Sequence, residues 1–159
     1  MEVLMAPWRY SYISSTNEKT GGCIFCDFPK SDEDEKYFIL FRGATCFVIL
    51  NAYPYSSGHL MVVPYRHTVD LASFSDLETL EFHKLTVHCM ETIKRTFKAQ
   101  GFNLGVNLGR VGGAGIDCHV HRHIVPRWEG DTNFMSVTSG TRVIPISLED
   151  AYKRLKENW

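Results

Sequence analysis

The sequence has no apolar stretch approaching the length of a membrane span, and Met1 to Pro7 lacks the basic region and apolar run of an export signal. Both absences point to a cytoplasmic, soluble chain with no membrane partner. Clustered lysine and arginine are missing too: 17 basic against 18 acidic residues leave a net charge of −1. Nucleic-acid surfaces draw their affinity from such clusters, so nucleic acid is excluded as a partner, while a single nucleotide is not. The cysteines cannot all pair, since five is an odd number, which argues against a disulfide framework and leaves metal binding or inert burial. No internal repeat is visible, and 159 residues that are 44% hydrophobic suffice for one domain with a sizeable core. The expected organisation is a single domain over 1–159, with an N-terminal segment 1–30 and a C-terminal tail and short helix over 139–159.

What the chain does have is concentrated between Asp117 and Trp128. Val120, Ile124 and Val125 give this stretch β character, and at period two it carries His119, His121 and His123, three of the seven histidines. Apolar residues would fill a core without needing hydrogen-bond partners, so the row reads as a site. One metal held by all three is awkward. The outer Cα atoms of a straight strand lie about 13 Å apart, whereas metal-bound nitrogens sit about 2 Å from the ion. Division of labour along the strand is the economical alternative. Immediately upstream, Gly109, Gly112, Gly113 and Gly115 form a glycine-rich loop that could cradle a phosphate beside a nucleophile. It matches neither the Walker pattern nor the dinucleotide fingerprint, and a plain hairpin loop is the rival reading.

Other segments supply the scaffold. Lys36–Arg42 and Thr45–Leu50 read as a β-hairpin around Gly43-Ala44, with Phe47, Ile49 and Asn51 on one face. An aromatic or apolar wall ending in an amide would suit a purine and its ribose, or equally a half-buried core. His59–Pro64 reads as a third strand. Ser75-Asp76-Leu77-Glu78 is a capping box opening a long helix that Gly101 should end, with Leu77, Phe82, Leu85, Cys89, Met90, Ile93 and Phe97 packing on the sheet. Phe102, Leu104, Val106 and Leu108 alternate with Asn103, Gly105, Asn107 and Gly109, a half-buried strand whose apolar face should meet the helix. Cys23-Ile24-Phe25-Cys26 has the spacing at which two thiolates reach one tetrahedral ion, although two further ligands are needed; reduced, metal-free thiols are the alternative. Ser147-Leu148-Glu149-Asp150 caps a terminal helix through Leu155, and Trp128 and Trp159 are expected to close the nucleotide pocket or a subunit contact.

The run from His119 to Val125 resembles the H-φ-H-φ-H-φ-φ signature of the histidine-triad nucleotidyl hydrolases and transferases. The likeness extends to Ala6–Arg9, Cys23–Cys26, Leu50-Asn51, Ser57–Leu60, Pro64–His67 and Pro126–Phe134, motifs of the branch that acts on dinucleoside polyphosphates, including bacterial diadenosine tetraphosphate phosphorylases and Fhit-like hydrolases. The resemblance implies an α+β fold, a five-stranded antiparallel sheet with one long and one short helix, in a homodimer. It implies a purine nucleotide or dinucleoside polyphosphate as substrate and a structural Zn2+ held by Cys23, Cys26, His67 and His119. Asn51 falls at the ribose-contacting position, with Ile49 and Phe47 beside the base. His59 matches an extra histidine behind the triad, and Asn107 an amide near the leaving group.

The mechanism that follows gives His121 the role of nucleophile, its Nδ1 proton held by a backbone carbonyl so that Nε2 is free, and produces a nucleotidyl-histidine. His123 would assist the leaving group, while amides of Gly115 and Ile116 contact phosphate oxygens. Rival readings are a zinc hydrolase with the triad as ligands, a purine nucleoside phosphoramidate hydrolase, and a nucleotide-binding signalling module with little turnover. Arg122 departs from the signature, which has an apolar residue there; a half-buried guanidinium would need a carboxylate or carbonyl partner.

Overall fold

The computed structural model describes residues 22–131 and 144–159. The motifs at Ala6–Arg9, Thr132–Phe134 and Arg142-Val143 lie outside the described residues. Runs of β-branched and aromatic residues form five strands: β1 (Ile39–Arg42), β2 (Cys46–Leu50), β3 (Leu60–Pro64), β4 (Gly101–Val106) and β5 (Arg122–Arg127). They pair antiparallel in the order β1-β2-β3-β5-β4, which makes β1 and β4 the edges. Among the described residues four α-helices accompany them: the one-turn α1 (Ile24–Asp27) and α2 (Asp34–Tyr37), the long α3 (Asp76–Phe97) and the terminal α4 (Leu148–Glu157). The α+β architecture and its five-stranded sheet are as expected.

Side-chain alternation divides the strands between two faces. Leu40, Val48, Leu50, Leu60, Val62 and Ile124 meet α3 and α4 through Phe82, Leu85, Cys89, Ile93, Tyr152 and Leu155, and this is the main core. Phe47, Ile49, Met61 and Val63 point the other way and are covered by Phe25 of α1, a smaller cluster under the site. Glu81 of α3 ties the β1–β2 turn down, accepting from the amides of Ala44 (2.9 Å) and Cys46 (3.0 Å). Ser75 and Glu78 form the expected reciprocal cap of α3. Gly58 sits at φ +77°, and a Cβ there would meet the Phe97 ring at 2.8 Å, so this loop approaches the helix end only as glycine.

Several boundaries differ from expectation. Lys36 and Tyr37 are helical: Asp34 and Glu35 occupy the first turn of α2, and Phe38, at φ +57°, reverses the chain into β1. Lys98, rather than a glycine, takes the left-handed cap of α3 at φ +56°, and Gly101 already belongs to β4. Leu77 is 72% exposed, because a four-residue repeat drifts about 40° per step from the helical turn and two steps carry Leu77 off the stripe led by Leu85. Leu104 and Leu108 are exposed, Leu108 lying beyond the end of β4. Regular pairing of the triad segment begins only at Arg122, so His119 and His121 sit in its extended approach. Trp128 donates from Nε1 to the Phe97 carbonyl (3.0 Å) and Trp159 stacks on Phe41, which places both on the helix side, away from the face on which the triad stands. Among the described residues no helix is long and apolar enough to cross a membrane.

Candidate active site

The bend at His119 and the run from it into β5 bring the three triad imidazoles close together, each with its own partners. His119 donates from Nε2 to the Pro64 carbonyl at 2.8 Å, which leaves Nδ1 unprotonated and turned toward Cys23 Sγ (3.3 Å) and Cys26 Sγ (3.5 Å). His67 Nδ1 lies 3.2 Å from Cys26 Sγ, and the four ligand atoms fall within 4.8 Å of one another. Two thiols and two imidazole nitrogens so placed are the donor set of a structural tetrahedral site, with the Pro64 carbonyl fixing the His119 tautomer from behind. The four residues nominated as metal ligands are thus brought together.

His121 carries the opposite tautomer. Its Nδ1–H donates to the His119 carbonyl at 2.9 Å, so in the neutral ring Nε2 keeps its lone pair. Burial pushes its pKa down, and the ring remains neutral at neutral pH. His123 is assigned by a short relay. The backbone N–H of Tyr55 donates to His59 Nδ1 (3.1 Å), so the proton of neutral His59 is on Nε2, 3.0 Å from His123 Nδ1. His123 therefore accepts at Nδ1 and carries its own proton on Nε2. Burial first, and the neighbouring His121 second, lower the His123 pKa to about 4. The two central histidines thus present a bare nitrogen and an N–H respectively, the pair that nucleophilic attack with leaving-group assistance needs.

A cleft of about 220 Å³ opens in front of them. Its apolar end is built by Ile24 and Phe25 from the Cys23–Cys26 segment, by Phe28 just after it, by Tyr37, and by Ile49 and Met61 from the sheet. Phe28 and Tyr37 stack at 4.4 Å, and Phe25 touches the rings of both His119 and His121 at 5.6 and 5.0 Å between centroids. The polar end holds Asn51, Asn107, Gly113, Gly115 and Ile116 with His121 and His123. Asn107 donates to the Gly113 carbonyl at 3.2 Å, tying the strand end to the glycine loop.

Of the residues proposed to bind nucleotide, Asn51, Ile49, Asn107, Gly115 and Ile116 line this cleft. Phe47 does not: it is fully buried beneath the cleft and stacks on Tyr65 at 5.4 Å, because the wall in front of it is supplied by Phe25. His59 is also fully buried and acts from behind His123, as expected. The sequence reading missed Phe25, Phe28, Tyr37 and Tyr55. The signal available for Phe25 was its place between the two cysteines, where any ligand to a shared ion carries it toward the triad. Arg122 has neither carboxylate nor carbonyl partner among the described residues; its guanidinium reaches Thr86 Oγ1 (3.2 Å) and lies over the Phe82 ring at 4.3 Å.

A family model described as HIT domain matches residues 33–130. Across its whole length the chain is 36% identical, over 166 aligned residues, to an AP-4-A phosphorylase of Mycobacterium tuberculosis, of which it covers 85%. Among solved structures, a hypothetical histidine triad nucleotide-binding protein of Sulfolobus tokodaii superposes with a TM-score of 0.69 at 28% identity, covering 86% of this chain and 91% of that one. A histidine triad family protein of Mycobacterium smegmatis, described as Zn-bound, superposes with a TM-score of 0.69 at 22% identity, covering 86% and 92%.

Proposed function

The chain belongs to the HIT domain family, and from that premise we propose that it is an enzyme cleaving dinucleoside polyphosphates at the α-phosphate through a nucleotidyl-histidine. The observation that carries the chemistry is the 2.9 Å bond from His121 Nδ1 to the His119 carbonyl, which frees Nε2 beside a cleft with an aromatic and aliphatic end. In the first step Nε2 of His121 bonds to phosphorus as the phosphorus to bridging-oxygen bond breaks; the departing phosphate oxygen keeps the electron pair and leaves as an anion that accepts a hydrogen bond from His123 Nε2–H, which keeps its proton. Asn51 faces the ribose, and the Gly115 and Ile116 amides face the nonbridging oxygens. In the second step a water or phosphate oxygen attacks, the phosphorus to nitrogen bond breaks, and His121 is restored.

The Cys23, Cys26, His67 and His119 set suits Zn2+, whose contribution there is to hold α1 against the triad segment. A zinc hydrolase using the whole triad as ligands is disfavoured by His121 Nδ1 being committed to a carbonyl and His123 Nδ1 to His59. The five free thiols fit a reducing, cytoplasmic setting. The edge of β4 with Leu104, unpaired among the described residues, and the exposed Leu77, Leu80 and Val87 of α3 offer apolar surface for a homodimer.

Mass spectrometry after incubation with diadenosine tetraphosphate tests the reading. An adduct of one adenylyl mass is expected on the enzyme and is lost in His121→Asn. Absence of adduct, or full turnover by that variant, overturns it. Product analysis with and without phosphate separates the second step: AMP and ATP report water as acceptor, ADP and ATP report phosphate.

A further inference from the structure

The sheet and the Cys23–Cys26 segment give the base end of the cleft nothing but rings and alkyl groups, with Phe25, Ile49 and Met61 facing the space. Such groups hold a purine by its faces and leave its edge unread, so the choice of base falls to whatever polar group stands beside them. Helix α2 supplies one. Tyr37 stacks on Phe28 at 4.4 Å, and its neighbour Lys36 lines the same cleft with its Nζ 5.1 Å from the centroid of the Tyr37 ring. Asn51, His121 and His123 belong to the other end, where ribose and phosphate lie, so the Lys36 ammonium faces the base.

That ammonium is anchored and keeps hydrogens to give. Lys36 Nζ donates to Glu33 Oε2 at 2.8 Å, and the bond and charge of Glu33, the N-cap residue of α2, raise the Lys36 pKa. One of its three N–H bonds is spent and two remain. An ammonium donates and never accepts. At position 6 of the purine ring guanine and hypoxanthine carry an oxygen acceptor beside the acceptor N7, whereas adenine carries an amino group there, which donates. Opposite Lys36 the oxygen completes a charge-assisted hydrogen bond, while the amino group sets N–H against N–H. Glu33, which could accept from an amino group, does not line the cleft. Both side chains are more than half exposed, so solvent screens the contact and the discrimination is modest.

We infer that Lys36 sets the base preference of this cleft, favouring a 6-oxopurine nucleotide over an adenine nucleotide, which still enters through its apolar contacts and ring nitrogens. The inference rests on the nucleotide reading above and adds which purine the cleft holds more tightly.

Calorimetric titration of the protein with the 5′-monophosphates of adenosine, guanosine and inosine provides the test, repeated on Lys36→Met and Lys36→Arg with melting curves confirming the fold. In the parent, the guanosine and inosine nucleotides are expected to bind about three- to fivefold more tightly than AMP. Methionine, which keeps the alkyl stem and removes the donors, should bring the three Kd values together, and arginine, which keeps donors, should retain the order. Equal affinity for all three nucleotides in the parent would overturn the inference, as would a preference that survives in Lys36→Met. So would a preference for guanosine without inosine, which would point to the 2-amino group, or an equal weakening of all three in Lys36→Met, which would assign the ammonium to the phosphate. Failure of all three to bind would sink the nucleotide reading along with this inference, whereas binding without discrimination sinks the inference alone.

Discussion

His59 never touches the cleft, yet it decides which proton His123 offers. With the Tyr55 amide on its Nδ1 and His123 on its Nε2, its ring has one arrangement of hydrogen bonds, and His123 inherits an Nε2–H from it. Replacement by leucine removes the donor to His123 Nδ1, and the proton moves to that nitrogen for part of the population. The expected outcome is a fall in kcat of about a hundredfold with KM for the dinucleotide little changed, read from steady-state kinetics. Glutamine, whose amide N–H can take the place of Nε2–H, should restore part of the loss. Arg122 presents the opposite case, a charge on the helix side of β5 with a hydroxyl and an aromatic ring for company. Burial lowers its pKa, which means the site disfavours the charged form. Methionine there should leave denaturant stability within about 1 kcal/mol of the parent or raise it. Truncating the partner ring, Phe82→Ala, should cost about 3–5 kcal/mol.

At the scale of elements, the four residues Cys23–Cys26, the N-cap and opening turn of α1, do two jobs. Cys23 and Cys26 face the ligand cluster while Ile24 and Phe25 wall the cleft, so whatever fixes the thiols also fixes the base pocket. Chelation should therefore raise KM for the nucleotide substrate as well as lower Tm, whereas a metal serving the chemistry would depress kcat first. Melting curves and kinetics on the same chelated sample distinguish the two. Readout of α3 is simpler: Ser75→Ala breaks the capping box and should cost about 1 kcal/mol, or about 2–4 °C in Tm for a chain of this size. These elements also mark what the sequence could reveal. The triad and the carbonyl-held tautomer of His121 were legible because they follow from short-range spacing, and Cys23 with Cys26 from their own; the grouping of that pair with His67 and His119 came only through the family resemblance. The aromatic wall was not, since Phe25, Phe28 and Tyr37 sit in a segment without periodicity whose place is set by contacts such as Cys23 with His119, 96 residues apart. Lys36 and Tyr37 were read as strand for a related reason. Their β propensity yields to an acidic first turn and to the left-handed Phe38 that follows.

For the molecule as a whole, the dimer and the response to acid are the global readouts. If β4 and the Leu77, Leu80, Val87 face of α3 meet a second copy, Leu80→Glu should yield a monomer in sedimentation velocity, with the isolated fold retained by circular dichroism. Acid acts through buried groups instead. His123 has a folded pKa of about 4 against an ordinary value of 6.5, so between those limits the unfolded chain holds a proton that the folded one refuses. Stability is then at its full value above pH 6.5, falls as pH is lowered through that window, and has lost about 3 kcal/mol from this group below pH 4. Glu78, hydrogen-bonded by Arg66 and by the Ser75 amide, is held at about 2 against 4.5, so its contribution persists through the histidine window and goes only on further acidification. Urea unfolding followed from neutral pH downward should thus show two successive losses. His123→Asn should diminish the first, leaving the part that belongs to His119 and His121, whose pKa values burial also lowers, and spare the second, and Glu78→Gln should diminish the second and spare the first. A first loss undiminished in His123→Asn would mean that this imidazole is already charged in the folded protein, and with it the neutral relay through His59 would have to be given up.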